Sequence, residues 1–270
     1  MSGHRSRFVL SMLVFGYAFL YVPIATLIVY SFNESRLVTV WSGFSVKWYW
    51  ALLENEALLA AAWTSLVIGV VSATVATVLG TAAGMALARQ RLPGRMLFTA
   101  MLATPLVLPE VILGLALLLL IVSVQVLTGW PAERGIGTIA LAHATLAMAY
   151  VTIVVRSRLV GLDPAIAEAA MDLGARPATV FFRVTLPMIA PGVVAGWLLA
   201  FTLSLDDLVL ASFTSGPGAT TLPMAIFSSV RMGVSPQINA LATVIVVVVA
   251  VVVLAAGRLV FPAARDRGGR

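Results

Sequence analysis

The sequence has no cysteine, one lysine and two histidines, and these scarcities exclude several kinds of chemistry. Without thiols there is no disulfide, no thiolate metal site and no iron–sulfur cluster. The single lysine, Lys47, has no glycine before it, so the chain lacks a phosphate-binding loop whose lysine reaches the β/γ-phosphates. His4 and His143 form no His-Glu-x-x-His zinc site, and no Gly-x-Ser-x-Gly elbow is present. Ser-His-Asp chemistry would have to use His143, which lies within an apolar segment and reads as a packed, hydrogen-bonded helix residue. An enzymatic reading has almost no support, and neither a cofactor nor a metal is expected.

Charge is also scarce. Only 10% of the 270 residues are charged, 61% are hydrophobic, and the mean hydropathy is +1.05. Soluble domains average roughly 45–50% apolar and about 25% charged, so lipid must be the solvent for much of this surface. The apolar segments recur too evenly to mark an internal boundary, and residues 1–270 read as one membrane domain.

Crossing the hydrocarbon core as a helix takes about 20 mostly apolar residues. Six segments qualify, at roughly 8–31, 60–88, 96–127, 136–155, 191–213 and 238–261. The first begins like a signal peptide, but it is too long and lacks a small-residue cleavage site, so it should stay as a helix. The last is almost all valine from Val244 to Val253; lipid enforces internal hydrogen bonding and overrides valine's weak helix propensity. In the second, Gly69, Ser72, Ala73, Ala76, Gly80, Ala83 and Gly84 form a small-residue face suited to close helix packing.

Loop charges give an orientation. With the N-terminus inside, one side collects Arg5, Arg7, Arg89, Arg91, Arg95, Arg156, Arg158, Arg176, Arg183, Arg258, Arg265, Arg267 and Arg270. The other receives Arg36, Lys47, Arg134 and Arg231, a bias of 13 to 4. Both termini are then cytoplasmic. The net charge of +6 is topological and calls for no nucleic acid. The outer connection 32–59 contains Trp48, Tyr49 and Trp50, which suit a short interfacial helix. The inner connection 156–190 is the one sizeable polar stretch on the cytoplasmic side.

That inner stretch reads as a short helix opened by Pro164, carrying Glu168 and Asp172 beside Ala169, Ala170 and Leu173, and closed by Gly174. A second short helix is expected from about Pro177. Such an elbow, apolar on one face, suits docking of a soluble partner. Glu168, Ala169, Ala170, Gly174, Val184, Leu186 and Pro187 stand at the spacing Glu-Ala-Ala, three residues, Gly, nine residues, Ile, one residue, Leu-Pro, with valine in the isoleucine place. In this the sequence resembles the permeases of bacterial ABC importers. The resemblance extends over nearly the whole chain, although Thr64-Ser65-Leu66 departs from the usual Asn-Ser-Leu.

The resemblance implies an all-α membrane protein with six transmembrane helices, the type I ABC importer permease architecture, and cytoplasmic coupling helices. Glu168, Ala169, Ala170, Gly174, Leu186 and Pro187 would couple to the ATPase. Implied partners are a homologous second permease, two ATP-binding subunits and an external substrate-binding protein, in the inner membrane of a bacterial cell. Ser204 to Val209, Ser215 to Pro223, Ser228 to Val234 and Asn239 to Thr243 look like the second permease subunit of polyamine importers, with putrescine systems the nearest likeness. A cationic diamine or polyamine is the implied substrate.

Independently of that likeness, Glu110 lies in the third expected span and Asp206 and Asp207 in the fifth, without a nearby arginine or lysine. A carboxylate at a helix centre costs roughly 2.5–3.5 kcal/mol on insertion scales. A pathway that transiently holds a cation would explain all three; a structural hydrogen bond is the plainer alternative for each. Asp206 and Asp207 sit about 100° apart on a helix, so one is expected to face the pathway while the other caps a broken helix or meets a partner. Pro105 and Pro109 weaken the helix just before Glu110. An ion-coupled secondary transporter or channel, which also carries intramembrane acids, is the alternative class, and an ABC permease for a different small solute is the alternative within the family.

Overall fold

The computed structural model describes residues 2–37, 40–89, 93–232 and 235–260, and these are helical almost throughout. Arg91, Arg265, Arg267 and Arg270 of the expected inner charges lie outside the described residues, as do Phe261, Gly233 and Val234. The chain forms two compact units, one from residues 1–59 with 226–270, the other from 60–225.

In the first unit, helix α1 (Ser2–Ser31) and helix α2 (Lys47–Leu53) each pack against α12 (Pro236–Val260). The Trp-Tyr segment thus forms the short helix its aromatics suggested. Asn33 organises the turn before it: Nδ2 donates to the Val40 carbonyl at 2.7 Å, Oδ1 accepts from the Ser42 N–H at 3.0 Å, and its own carbonyl accepts from Trp48 Nε1 at 2.7 Å. Ser31 Oγ and the Tyr49 hydroxyl are 2.7 Å apart, and Asn55 Nδ2 donates to Gln237 Oε1 at 3.0 Å. The apolar side chains of α1 from Phe8 to Val22 stay exposed, as befits a helix whose solvent is lipid.

The second unit is built around α6 (Ile136–Val160), with most of its residues from Thr138 to Val155 buried. Alongside it lie α3 (Glu56–Arg89), α4 (Arg95–Val107), α5 (Glu110–Thr128), α7 (Pro164–Asp172), α8 (Pro177–Val180), α9 (Leu186–Asp206), α10 (Val209–Thr214) and the start of α11 (Leu222–Met232). Its main core joins Ala73 and Ala76 of α3, Ala144, Ala147, Val151, Val155 and Leu159 of α6, and Ile189 and Ala200 of α9. Gly69, Ser72, Ala73, Ala76, Gly80 and Gly84 are buried while Val70, Val71, Val75, Val78 and Leu79 face outward. The small-residue stripe is therefore the packing face of α3, and it excludes bulk by contact. A Cβ on Gly80 would lie 2.8 Å from the Val151 side chain and 3.0 Å from the Met148 carbonyl oxygen.

Among the described residues, five helices are long and apolar enough to cross a membrane: Phe8–Ser31, Glu56–Ala88, Glu110–Thr128, Ile136–Val160 and Pro177–Asp206. Arg95–Val107 and Pro236–Val251 are shorter apolar helices. Two expected spans differ in their course. The third, expected over 96–127 with a local weakening at Pro105 and Pro109, divides at Leu108, whose ψ of 138° is extended, and restarts after Pro109. A residue before proline is pushed out of the helical region, and proline offers no N–H to the turn behind it. The fifth, expected over 191–213, ends at Asp206, and α10 begins after the break.

Gly80→Ala should overpack the α3–α6 contact and cost about 1–3 kcal/mol. Thermal unfolding of the purified protein in detergent would show a lowered midpoint. Gly137→Ala, where a Cβ meets nothing within 4 Å, should leave the midpoint unchanged or raise it.

Candidate functional site

Two places in the second unit gather the residues that the sequence singles out. The first is the elbow after α6. The Asp163 side chain accepts from the Ala165 N–H at 2.9 Å, capping α7, and Pro164 occupies the first turn, where its missing N–H costs nothing. At the other end the Ala175 N–H reaches the Ala170 carbonyl at 3.1 Å and the Gly174 N–H reaches the Met171 carbonyl at 2.9 Å. This is a Schellman closure, and it places Gly174 at φ +85°, a conformation that favours glycine.

Glu168, Ala169 and Gly174 are exposed, Ala170 is half-buried, and Ala167 alone anchors α7. Ile166 and Met171 stand out from the same helix, and Leu173 is 89% exposed. The structure brings the Glu-Ala-Ala residues onto a short projecting helix. Leu186 and Pro187 lie beyond the turn, at the start of α9.

The second short helix expected from Pro177 is not separate. It begins as α8, widens into a π-turn at Phe181–Thr185, and continues without interruption as α9 to Asp206, 30 residues in all. The π-turn ends two residues before Pro187, whose ring in a regular α-turn would meet the Arg183 carbonyl. The Leu186 N–H instead bonds five residues back, to the Phe181 carbonyl.

The second place is the break that follows. Asp207 terminates α9 with extended backbone, ψ 119°, and its Oδ1 accepts from the Ala211 N–H of α10 at 3.1 Å. Its carboxylate is buried, whereas the adjacent Asp206 is exposed. His143 Nε2 lies 3.4 Å from Asp207 Oδ1, close but without the geometry of a hydrogen bond, so Nε2 has no hydrogen-bond partner. On the opposite side of the ring, Nδ1 is 2.7 Å from Ser204 Oγ, which accepts from Ser72 Oγ at 3.1 Å. A buried polar string thus runs from α3 through α9 and α6 to the foot of α10.

Its Ser-His-Asp composition does not make a hydrolase. Ser204 is 5% exposed and engaged on both sides, so no acyl group can approach its oxygen.

The far end of α10 is held as firmly. Thr138 Oγ1 donates to the Thr214 carbonyl at 2.7 Å, and Arg134 Nη1 reaches the Phe213 carbonyl at 3.5 Å. Phe213 lies against α5, where a Cβ on Gly114 would come within 2.7 Å of its ring. Glu110 is the first residue of α5, exposed, at the N-terminus that follows the Pro109 break. It does not join the Asp207 string. An acid in the first turn of a helix is favoured by the exposed N–H groups there, so its position has a local reason. His143 is legible in the sequence as a packed helix residue, but nothing in the spacing of residues 143 and 207 announces their contact.

Residues 76–266 match the family described as binding-protein-dependent transport system inner membrane component. The chain is 55% identical over 264 residues to the putrescine transport system permease protein PotI of Escherichia coli (strain K12), covering 97% of this chain and 94% of that one. It is 42% identical over 239 residues to the spermidine/putrescine transport system permease protein PotC of the same strain, covering 88% of each. The chain belongs to this family.

In fold, the permease is similar to a chain of a bacterial ABC transporter that imports the acidic polysaccharide alginate, with a TM-score of 0.71 at 14% identity, covering 97% of this chain and 98% of that one. Membership makes the permease an inner-membrane transport subunit and leaves the ion-coupled transporter and the intramembrane enzyme without support. Most residues of the elbow helix α7 are exposed, with Ala167 buried. Replacing Asp163 by alanine removes the cap of α7 and should cost about 1 kcal/mol locally. Hydrogen–deuterium exchange should then quicken about fivefold in the amides of 165–172, with α6 unaffected.

Proposed function

We propose that this chain is the permease subunit of an ATP-driven importer of putrescine or another polyamine, forming half of the translocation pathway. The observation that carries the substrate class is the 55% identity, over 97% of the chain, to a permease of a putrescine system. The whole chain, 1–270, acts as one permease domain with six spans; α12 supplies the sixth, and the broken α4–α5 pair stands in the place of the third. The arginine asymmetry supports cytoplasmic termini. A homologous second permease completes the pathway, two ATP-binding subunits supply the power stroke, and an external binding protein delivers the substrate.

The 156–190 loop is the coupling element in this reading. Glu168, Ala169 and Ala170 form the projecting helix, Gly174 turns it, and Leu186 and Pro187 begin the rod that carries movement into the membrane. The support is physical: α7 exposes apolar Ile166, Met171 and Leu173 beside acidic Glu168 and Asp172, a surface that water alone does not favour. Glu110 and at least one of Asp206 and Asp207 supply negative potential to the passing cation.

The test is putrescine-stimulated ATP hydrolysis by the reconstituted complex. Gly174→Pro forces a φ near −65° where the elbow needs +85°, and it removes the N–H that meets the Met171 carbonyl. Glu168→Lys reverses the charge of the docking helix. Both variants should insert normally and lose stimulation. Normal stimulation in both would remove the loop from the mechanism. Native mass spectrometry of the co-expressed complex should find one copy of this chain with one homologous permease and two ATPases; an active complex without a second permease would contradict the assembly.

Uptake of labelled putrescine per assembled complex should fall in Glu110→Gln or Asp206→Asn. Unchanged uptake in the neutral variants of all three acids would exclude the cation-path role while leaving the permease assignment intact.

A further inference from the structure

The Asp206–Asp207 pair presents a problem of orientation that the buried string answers. Two adjacent acids at a helix end inside an apolar unit repel each other, and an ionised carboxylate buried without a partner is strongly unfavourable. The Asp207 Oδ1 accepts from the Ala211 N–H at 3.1 Å, and the His143 ring faces the same oxygen at 3.4 Å. The ring is itself fixed from behind. The Ser72 hydroxyl is shared between the Gly69 carbonyl at 3.2 Å and Ser204 Oγ at 3.1 Å; with Ser204 donating to His143 Nδ1, the ring proton sits on Nε2 and faces Asp207. The string fixes the ring from Ser72 and Ser204 and brings its free Nε2 to within 3.4 Å of the carboxylate. Asp206, in contrast, is exposed at the C-terminal end of α9, where the final carbonyls of the helix add negative potential.

We propose that His143 is a positioning residue that holds Asp207 inside the unit as the foot of α10, so that Asp206 alone of the pair is presented to a cationic substrate. This assignment rests on the polyamine reading above. It differs from a general role for both acids because it gives them opposite duties: Asp207 structural, Asp206 in contact with the cation. It also gives His143, an intramembrane histidine with no other evident purpose, a stated one.

The test uses the full importer, with partner permease, ATPase and binding protein, reconstituted in liposomes and assayed for labelled putrescine uptake per assembled complex. His143→Leu removes both ring nitrogens and leaves the Asp207 carboxylate facing an apolar side chain. Displacement of the acids should lower uptake per complex by about tenfold, as misplacement of substrate-contacting groups does. His143→Gln keeps an acceptor for Ser204 and a donor for Asp207 and should recover most of the rate, a rescue that a purely volume-filling role would not show. Asp206→Asn should reproduce the loss seen in His143→Leu. Asp207→Asn retains an oxygen to accept from the Ala211 N–H and should be clearly milder.

Equal damage from Asp206→Asn and Asp207→Asn would overturn the division of duties. A normal rate per complex in His143→Leu, or a glutamine variant no better than leucine, would overturn the positioning role. If His143→Leu fails to assemble, the comparison of His143→Gln, Asp206→Asn and Asp207→Asn still decides it. Absence of any putrescine uptake by the wild-type importer would overturn the polyamine reading and this assignment together. Wild-type uptake with the variant pattern reversed would overturn the assignment alone.

Discussion

A peptide group in hydrocarbon has no water to bond, so a spanning chain may leave the helix only where its own atoms satisfy the freed groups. This requirement shapes the second unit of the permease more than any single apolar contact does. The chain breaks twice within apolar sequence, before Glu110 and at Asp207. Around α10 several of the freed groups have side-chain partners: Asp207 takes the Ala211 N–H, and Thr138 and Arg134 take the carbonyls of Thr214 and Phe213. Nearby, Ser65 Oγ accepts the Leu222 N–H at 2.8 Å where α11 begins. The six-residue α10 is far too short to persist by propensity alone, and it holds because both of its ends are tied to neighbouring elements.

The same requirement explains the value of small residues. Helices gain no hydrophobic advantage from meeting one another in lipid, so close van der Waals fit and interhelical hydrogen bonds must do the work. Gly80 lets α3 approach Val151 of α6, and Gly114 lets α5 approach Phe213. Ser72 and Ser204 join α3 to α9 by a hydrogen bond in the place that a larger apolar pair would fill.

The course of α8 and α9 links the projecting elbow to the break. From Pro177 to Asp206 the backbone is helical without interruption, relaxed at a single π-turn beside Pro187. It lies along α6, with Val151 and Val155 of α6 and Ile189 and Ala200 of α9 wholly buried in one core. A rod of this kind moves as a body, because packed cores resist continuous deformation.

Much of this was legible in the amino-acid sequence, because it depends on local or periodic signals. Apolar runs of spanning length marked the helices, and Asp163, Pro164 and Gly174 marked the start and stop of α7 through the backbone conformations they favour. The small-residue stripe of α3 was visible as spacing. The proline before Glu110 announced a weakness but not whether the helix would kink or break, since that depends on whether neighbouring helices can cover the freed groups. The adjacent Asp206 and Asp207 hinted at a broken helix, but not that α9 would end there, since the span otherwise stays apolar to Phe213. The partners of Asp207 were hidden for the same reason: His143 lies sixty-odd residues away on another helix, and no periodicity connects them. Local chemistry determined which segments are helices and where their caps fall. Only the tertiary packing of α3, α6 and α9 decided that one aspartate turns inward to a histidine while its neighbour stays exposed, because that choice depends on which polar atoms the fold carries within reach of the break.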